Sequence, residues 1–143
     1  MKIKVLLVDD EKDFVDSLCQ RLQIRDFEVE TVLSGDDALE LIRKEKDFDV
    51  IVLDVLMPGK DGIETLKEIK KLKPLVQIIM LTGNATVETA INGMKLGAYD
   101  YLMKPTETEE LVEKITKAHA LKTEHETRIR NAEISNIIKR KGW

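Results

Sequence analysis

The sequence predicts an α/β protein built on a doubly wound sheet of five parallel strands. Short apolar runs alternate with amphipathic stretches along the first 121 residues, and the connections between them are short. Three of these runs are apolar almost throughout, which indicates strands that are covered by helices on both faces. An amphipathic segment closes the chain, and we expect it to continue the last helix as a C-terminal extension.

Five segments have the composition of strands. Those at residues 3–8, 50–54 and 76–81 are the nearly continuous apolar runs IKVLLV, VIVLD and VQIIML. Residues 27–32 (FEVETV) alternate between apolar and polar side chains, and residues 99–103 (YDYLM) stand just before a Lys-Pro pair. Each segment ends in polar or turn-forming residues, as strands of a parallel sheet do before a helix begins.

Helices are predicted between and after the strands. In the first, Phe14, Leu18 and Leu22 recur at helical spacing and form one apolar stripe. Ser34 precedes the second helix as a cap, and a capping box from Thr106 to Glu109 is expected to open the last one. The helical segments are 14–24, 36–44, 63–72, 86–98 and a final one that runs well past residue 121.

Composition places the chain among soluble globular proteins. Its 143 residues are 43% hydrophobic and 35% charged, which allows a sizeable core under a heavily charged surface. No apolar run is long enough to cross a bilayer. The single Cys19 has no partner for an internal disulfide, which fits a reducing, cytoplasmic location.

Charge is distributed unevenly along the chain. The net charge is −4, but residues 122–143 contain six Lys and Arg against three Asp and Glu, so the first 121 residues carry −7. An acidic domain of this kind is not expected to bind nucleic acid, and the C-terminal segment is too short to fold as a helix-turn-helix module. We expect no direct DNA binding and no membrane association.

Polar side chains stand where four of the five strands end. The first strand ends at Asp9 and Asp10, the third at Asp54, the fourth at Thr82 and the fifth at Lys104. Because ligands of such sheets bind beyond the carboxyl ends of the strands, these side chains are expected to converge on one crevice. Any one of them alone is better explained as a helix cap or a turn residue, and it is the combination that indicates a site.

The chemistry of this set indicates a magnesium-dependent phosphoryl acceptor. Clustered carboxylates repel one another unless a cation lies between them, and an all-oxygen site with open positions suits Mg²⁺. Asp54, at the end of a buried strand, can act as a nucleophile toward phosphorus. Mg²⁺ and Lys104 would then offset the charge of the phosphoryl group, and the Thr82 hydroxyl would hydrogen-bond one of its oxygens.

With these residues in place, the chain resembles a response-regulator receiver domain of two-component signalling. The resemblance covers about residues 3–121 and implies the flavodoxin-like fold with strand order 2-1-3-4-5. We expect a receiver domain at residues 1–121 and a helical extension at residues 122–143 with no separate output domain, because that segment lacks the apolar helices that such a domain needs. The motifs that carry the resemblance are VDDE (8–11), LDVLMPGKDG (53–62), LTGNA (81–85) and YDYLMKP (99–105).

The resemblance also implies a role for each site residue. Asp54 corresponds to the phosphoacceptor, Asp10 to the direct Mg²⁺ ligand, and Asp9 to an acidic neighbour that acts through water. The backbone carbonyl of Leu56 corresponds to a further metal ligand, and Asp54 also binds the metal. Lys104 corresponds to the lysine that pairs with the phosphoryl group, and its bond to the following proline is expected to be cis.

A switch is implied as well. Thr82 corresponds to the switch hydroxyl and Tyr101 to an aromatic side chain that turns inward when Thr82 moves, although plain packing remains an alternative for Tyr101. The output face is expected to comprise the outer side of the last helix and four residues of the helix before it, namely Val87, Ala90, Ile91 and Met94.

The function expected from the sequence is a signalling switch rather than an enzyme. A sensor histidine kinase would donate the phosphoryl group to Asp54, as in a phosphorelay, and an unidentified protein or a second copy of the chain would bind the phosphorylated form. Alternatives are a receiver fragment of a larger transcriptional regulator, an aspartyl-phosphate phosphotransferase or phosphatase, and a flavin carrier. The sequence favours a stand-alone receiver over a fragment.

Overall fold

Five strands and five helices alternate in the computed structural model, which describes residues 2–44, 46–55, 62–83 and 86–142. The strands are β1 (Lys4–Val8), β2 (Glu28–Val32), β3 (Val50–Leu53), β4 (Gln77–Thr82) and β5 (Asp100–Met103). The helices are α1 (Lys12–Ile24), α2 (Gly35–Arg43), α3 (Gly62–Leu72), α4 (Val87–Lys95) and α5 (Thr108–Arg140). Each predicted element is present, and most of the observed ends lie within one or two residues of those predicted.

The strands form one parallel sheet in the order β2-β1-β3-β4-β5. This is the predicted strand order. Val8 pairs with Leu53, and Leu53 pairs with Met80, so β1, β3 and β4 reach the carboxyl edge of the sheet together. The backbone N–H of Asp54 donates to the carbonyl of Val8 across 2.9 Å, which fixes the end of β3 beside the end of β1.

Both faces of the sheet are covered, as the apolar strands require. On one face, Leu6 and Ile51 pack with side chains of α2 and α3, including Leu39 and Leu66. On the other face, the alternate strand residues pack against α1 and α5. The main members of this second layer are Val5, Leu7, Val52, Ile79, Val15, Leu22, Leu111 and Ile115.

Helix caps follow the prediction in one place and depart from it in another. The hydroxyl of Ser34 accepts a hydrogen bond from the backbone N–H of Asp37, as expected for an N-cap. The predicted capping box at Thr106 is wrong. Glu107 has the extended backbone of the N-cap, so Thr106 lies one residue too early, and its hydroxyl donates to Glu110 instead.

The last helix, α5, runs for 33 residues, or about 50 Å. Its buried side chains end at Ala118, but Lys122 still contacts the body of the domain through the carboxylate of Asp49 at 3.1 Å. The helix passes the predicted boundary at residue 121 without a break, and the division into domain and extension stays a prediction. Within the described residues, no helix is both long enough and apolar enough to span a bilayer.

Gly62 permits close contact between the start of α3 and the end of β3. A Cβ atom at this position would lie 2.4 Å from the carbonyl oxygen of Asp54 and 2.2 Å from the Cα of Val55. We predict that Gly62→Ala destabilises the fold by about 2 kcal/mol, despite the better helix propensity of alanine, because backbone atoms would have to shift. Urea unfolding measures the change, with Gly83→Ala as control, since the nearest atoms to a Cβ there are 4.0 Å away. Equal stability of the two variants would contradict this account.

Lys122 anchors α5 beyond Ala118, its last buried residue. Its ammonium donates to Asp49 at 3.1 Å, and the side chains are only 15% and 20% exposed. We predict that Lys122→Gln lowers the free energy of unfolding by about 1–3 kcal/mol. The control Lys117→Gln breaks an exposed pair on the same helix and should change much less.

The pH dependence of this anchor has a definite sign. Burial alone would lower the pKa of Lys122, but the hydrogen bonds and negative charges of Asp49 and Glu126 together outweigh it, and the pKa is raised. The contribution of Lys122 is therefore complete at neutral pH and disappears only as the pH rises through the raised pKa. If the difference between Lys122→Gln and the parent chain instead grew in strongly alkaline solution, this assignment would be wrong.

Candidate functional site

The carboxyl edge of the sheet gathers the side chains that the sequence predicts to converge. Asp9 follows β1 and Asp54 follows β3, and the two residues are buried, with 4% and 5% of their surface exposed. Thr82 ends β4 and is also buried, while Lys104 follows β5. The short parallel strands carry these four residues to the same edge and align their ends.

Lys104 is the centre of the observed contacts. Its Nζ donates to Asp9 Oδ2 at 2.6 Å and to Glu11 Oε1 at 2.9 Å. The nearest oxygen of Asp54 lies 3.7 Å away, within ion-pair distance but beyond an ordinary hydrogen bond. The lysine side chain is 12% exposed, so the ammonium interacts with the carboxylates largely out of bulk water.

Two residues of this site were not predicted from the sequence. Glu11 contacts Lys104 directly, and Phe14 places its ring under the ammonium, with 4.2 Å from Nζ to the ring centroid. Glu11 belongs to the VDDE motif, so the sequence itself shows that it lies close to Asp9. Phe14 was assigned to the apolar stripe of the first helix. The contact of its ring with Lys104 could not be foreseen, because it depends on where the fold places that lysine.

The site shifts the pKa of two of its groups. Burial raises the pKa of Asp9, and the hydrogen bonds from Lys104 and from the backbone N–H of Glu11 offset this only in part. Burial alone would lower the pKa of Lys104, but its hydrogen bonds to Asp9 and Glu11, together with the negative charges of Asp9 and Asp54, outweigh burial and raise the pKa. Lys104 therefore remains an ammonium at neutral pH.

The predicted metal ligands are only partly described. Asp9, Glu11 and Asp54 each offer a carboxylate oxygen, and these oxygens lie within 4.8 Å of one another. Asp10 is exposed and does not belong to this group, so its role as direct ligand stays a prediction. Leu56, whose backbone carbonyl was the other predicted ligand, lies outside the described residues.

The donor set nevertheless suits a divalent cation. Three carboxylates share the single ammonium of Lys104 among the described residues, which leaves an excess of negative charge at this edge. Oxygen donors of this kind match the preference of Mg²⁺, which uses few carboxylates and keeps several waters. The residues present therefore fit the metal that the sequence predicts, with Glu11 as an acidic neighbour that was not foreseen.

The predicted switch residues lie on adjacent strands. The backbone N–H of Lys104 donates to the carbonyl of Thr82 across 2.9 Å, and Thr82 pairs in register with Met103. Tyr101 stands two residues before Met103, with 39% of its surface exposed. The Lys104–Pro105 peptide bond is cis, as predicted.

Tyr101 takes part in an exposed apolar surface on α4 and β5. A shallow cleft there is lined by Ala90, Ile91, Met94, Lys95 and Tyr101. Val87, at 77% exposed, and Met103, at 45% exposed, are further exposed apolar residues of the same two elements, α4 and β5. Three of the four residues named as the output face on the fourth helix are thus exposed, whereas Ala90 is 7% exposed and forms the floor of the cleft.

Comparisons with known proteins agree with this arrangement. The family model described as "Response regulator receiver domain" matches residues 5–116. The response regulator SaeR of Staphylococcus epidermidis is 33% identical over 137 residues, which cover 94% of this chain and 58% of SaeR. The transcriptional regulatory protein ZraR of Salmonella typhimurium is 42% identical over 119 residues, which cover 83% of this chain and 27% of ZraR. The chain thus spans about half the length, or less, of these curated relatives.

Solved structures show the same fold. A receiver domain protein described as CheY-like from Methanospirillum hungatei aligns with a TM-score of 0.83 and 30% identity, covering 87% of this chain and 99% of that one. A Rhodopirellula baltica structure titled adenylate cyclase aligns with a TM-score of 0.87 and 30% identity, covering 93% and 98%. NtrX from Brucella abortus aligns over 100% of this chain and 30% of its own, with a TM-score of 0.75 and 31% identity.

Fold, strand order, acidic edge and sequence similarity therefore agree, and this chain belongs to the response-regulator receiver domains of two-component signal transduction.

Proposed function

We propose that Asp54 accepts a phosphoryl group from the phosphohistidine of a sensor histidine kinase, with Mg²⁺ bound at the acidic edge. The observation that carries this proposal is the position of Asp54. It is held at the end of a buried strand, beside a second buried carboxylate, and 3.7 Å from the ammonium of Lys104. The membership of the chain in the receiver family supports the same donor and the same kind of acceptor.

The transfer needs little chemistry from the protein beyond positioning. A carboxylate oxygen of Asp54 forms a bond to phosphorus while the bond between phosphorus and the kinase imidazole breaks. The leaving nitrogen keeps the electron pair and takes up a proton. The protein thus assists its own phosphorylation as an acceptor, and its product is an acyl phosphate on Asp54.

The neighbours of Asp54 would stabilise the phosphoryl group. Mg²⁺ bound by the carboxylates would supply positive charge to the phosphoryl oxygens. Asp9, Asp10 and Asp54 are the side chains that we propose for this metal, together with the backbone carbonyl of Leu56. Lys104 would shift the short distance toward Asp54 and pair with a phosphoryl oxygen.

The state of Asp54 would reach the surface through Thr82 and Tyr101. A hydrogen bond from the Thr82 hydroxyl to the phosphoryl group would draw Thr82 toward Asp54 and leave space that the ring of Tyr101 could enter. Tyr101 is 39% exposed without the phosphoryl group, so a turn inward would remove apolar surface from the cleft beside α4. Phosphorylation would then change the population of two forms of this face.

We propose the kind of partner that binds this face from the chemistry of the face alone. Ile91 and Met94 expose apolar surface next to Tyr101, and Val87 and Met103 are exposed on the same two elements, which suits a protein partner or a second copy of the chain. The curated relatives that the chain matches are longer regulators.

Replacement of the acceptor tests the central step. Asp54→Asn should abolish the mass increase of one phosphoryl group that appears when the protein is incubated with phosphoramidate and Mg²⁺. Intact-mass spectrometry makes the measurement, and removal of Mg²⁺ by a chelator should suppress it as well. Asp47→Asn serves as the control, because it removes the same charge from an exposed site away from this edge. Phosphorylation of Asp54→Asn at the parental rate would exclude Asp54 as the acceptor.

The switch can be followed with the two tyrosines of the chain. In protein labelled with fluorotyrosine, Tyr99 and Tyr101 give two fluorine NMR signals, and we predict that beryllofluoride with Mg²⁺ shifts mainly the signal of Tyr101. Thr82→Ala should retain beryllofluoride binding but lose most of this shift, because the hydroxyl links the two sites. An unchanged shift in Thr82→Ala would show that Thr82 does not couple Asp54 to Tyr101.

A further inference from the structure

Glu11 departs from the usual behaviour of a residue that begins a helix. It is the N-cap of α1, yet its side chain makes no capping hydrogen bond. Its backbone N–H donates to Asp9 Oδ1 at 2.9 Å, and its carboxylate extends to the ammonium of Lys104, also at 2.9 Å. The side chain is therefore committed to the phosphorylation site instead of to the helix.

The closest contacts of Lys104 all lie on one side of the proposed phosphorylation site. An ammonium has three N–H donors, and two of the partners seen here, Asp9 and Glu11, lie on the segment that joins β1 to α1. The ring of Phe14, in the first turn of α1, lies under the same ammonium. The nearest oxygen of Asp54 is farther away, at 3.7 Å, so the observed contacts draw Lys104 away from the residue that it is proposed to serve.

The two contacts of Lys104 differ in how readily they can break. The Asp9 side chain is 6% exposed, and its separation from Lys104 would leave a buried carboxylate. The Glu11 side chain is 64% exposed, so water can replace the lysine at little cost. When a phosphoryl group on Asp54 attracts Lys104, the contact to Glu11 is the one expected to yield.

We propose that Glu11 competes with the phosphoryl oxygens for the ammonium of Lys104. In the unphosphorylated state Glu11 is a partner of this ammonium, in the place that a phosphoryl oxygen would take. This inference rests on the proposed function of Asp54 and Lys104. Glu11 is a positioning residue here, because it acts through Lys104 and not on the phosphoryl group. The strength of its contact with Lys104 contributes to the free-energy cost of moving Lys104 to the phosphoryl group.

A different role for Glu11 would have the opposite effect. Its carboxylate oxygen lies within 4.8 Å of oxygens of Asp9 and Asp54, so it could instead help to bind Mg²⁺. Loss of a metal ligand would weaken the binding of Mg²⁺ and of any phosphoryl mimic. Loss of a competitor for Lys104 would strengthen the binding of the mimic. The sign of the change therefore separates the two roles.

The test uses Glu11→Gln in the full chain, with beryllofluoride as the mimic at fixed, saturating Mg²⁺. We expect the apparent affinity for beryllofluoride, measured by titration of the fluorotyrosine signal of Tyr101, to increase about two- to fivefold, the range that an exposed ion pair permits. Asp13→Asn is the matched control, since it removes the same charge from the first turn of α1. It should leave the affinity close to that of the parent protein.

A double-mutant cycle shows whether Glu11 acts through Lys104. In a Lys104→Met background, Glu11→Gln should no longer increase the affinity for beryllofluoride, a result that a merely structural role would not produce. A separate titration with Mg²⁺ alone should show no greater loss for Glu11→Gln than for Asp13→Asn. Where Lys104→Met binds the mimic too weakly to titrate by fluorine NMR, the initial rate of phosphorylation by phosphoramidate gives the same comparison.

Three results would overturn the proposal. Equal effects of Glu11→Gln and Asp13→Asn would reduce Glu11 to a general contribution to the electrostatic field. A selective loss of Mg²⁺ affinity in Glu11→Gln would make it a metal ligand. An undiminished effect in the Lys104→Met background would mean that Glu11 acts by another route. Failure of the parent protein itself to bind beryllofluoride through Asp54 would instead contradict the proposed function.

Discussion

The ion pairing of one ammonium with three carboxylates is the constraint on which the site depends. Asp9 and Asp54 are buried where two core strands end, and buried carboxylates are costly without a compensating partner. Lys104 supplies that partner from the end of β5, which is separated from β1 by the two strands β3 and β4 in a sheet whose ends are aligned. The short cis-proline turn after Lys104, the crowded start of α3 at Gly62 and the ring of Phe14 all border this arrangement.

The strand β3 illustrates how the same fold treats a structural carboxylate and the carboxylate that we propose as phosphoacceptor. Asp49 stands just before β3, where it receives the ammonium of Lys122 at 3.1 Å and the backbone N–H of Lys4 at 2.9 Å. Asp54 stands just after β3, where two further carboxylates lie within reach and the lysine is 3.7 Å away. At one end the charge is neutralised and ties the helical extension to the domain. At the other end the excess of negative charge is suited to a cation and a phosphoryl group.

Most of the fold could be predicted from the sequence, because each strand and helix is indicated by a short, local pattern of residues. Apolar runs, helical stripes and the residues at strand ends set the elements, and the alternation of strands and helices requires a parallel sheet. The strand order was implied by the family resemblance and is confirmed. The capping box at Thr106 failed because a difference of one residue in the start of a helix changes which side chain can reach its free amides.

The contacts within the site could be predicted less well, since they depend on distances that no local pattern encodes. Four site residues end or follow parallel strands, and the carboxyl ends of such strands lie at one edge of the sheet. The alternation of strands and helices already implies this placement of Asp9, Asp54, Thr82 and Lys104. The attachment of Glu11 to Lys104 depends on the path of the loop after β1 and on the reach of two long side chains. The same holds for Lys122, whose partner Asp49 is 73 residues distant in sequence.

We expect Lys104 to exchange its contact with Glu11 for a contact with the phosphoryl group on Asp54. The most direct measurement is a crystal structure of the full chain with Mg²⁺ and beryllofluoride, compared with one grown without beryllofluoride. We predict beryllium on a carboxylate oxygen of Asp54, with the ammonium of Lys104 hydrogen-bonded to a fluorine and separated from Glu11. An adduct on Asp54 with Lys104 still bridging Asp9 and Glu11, or an adduct on another residue, would contradict it.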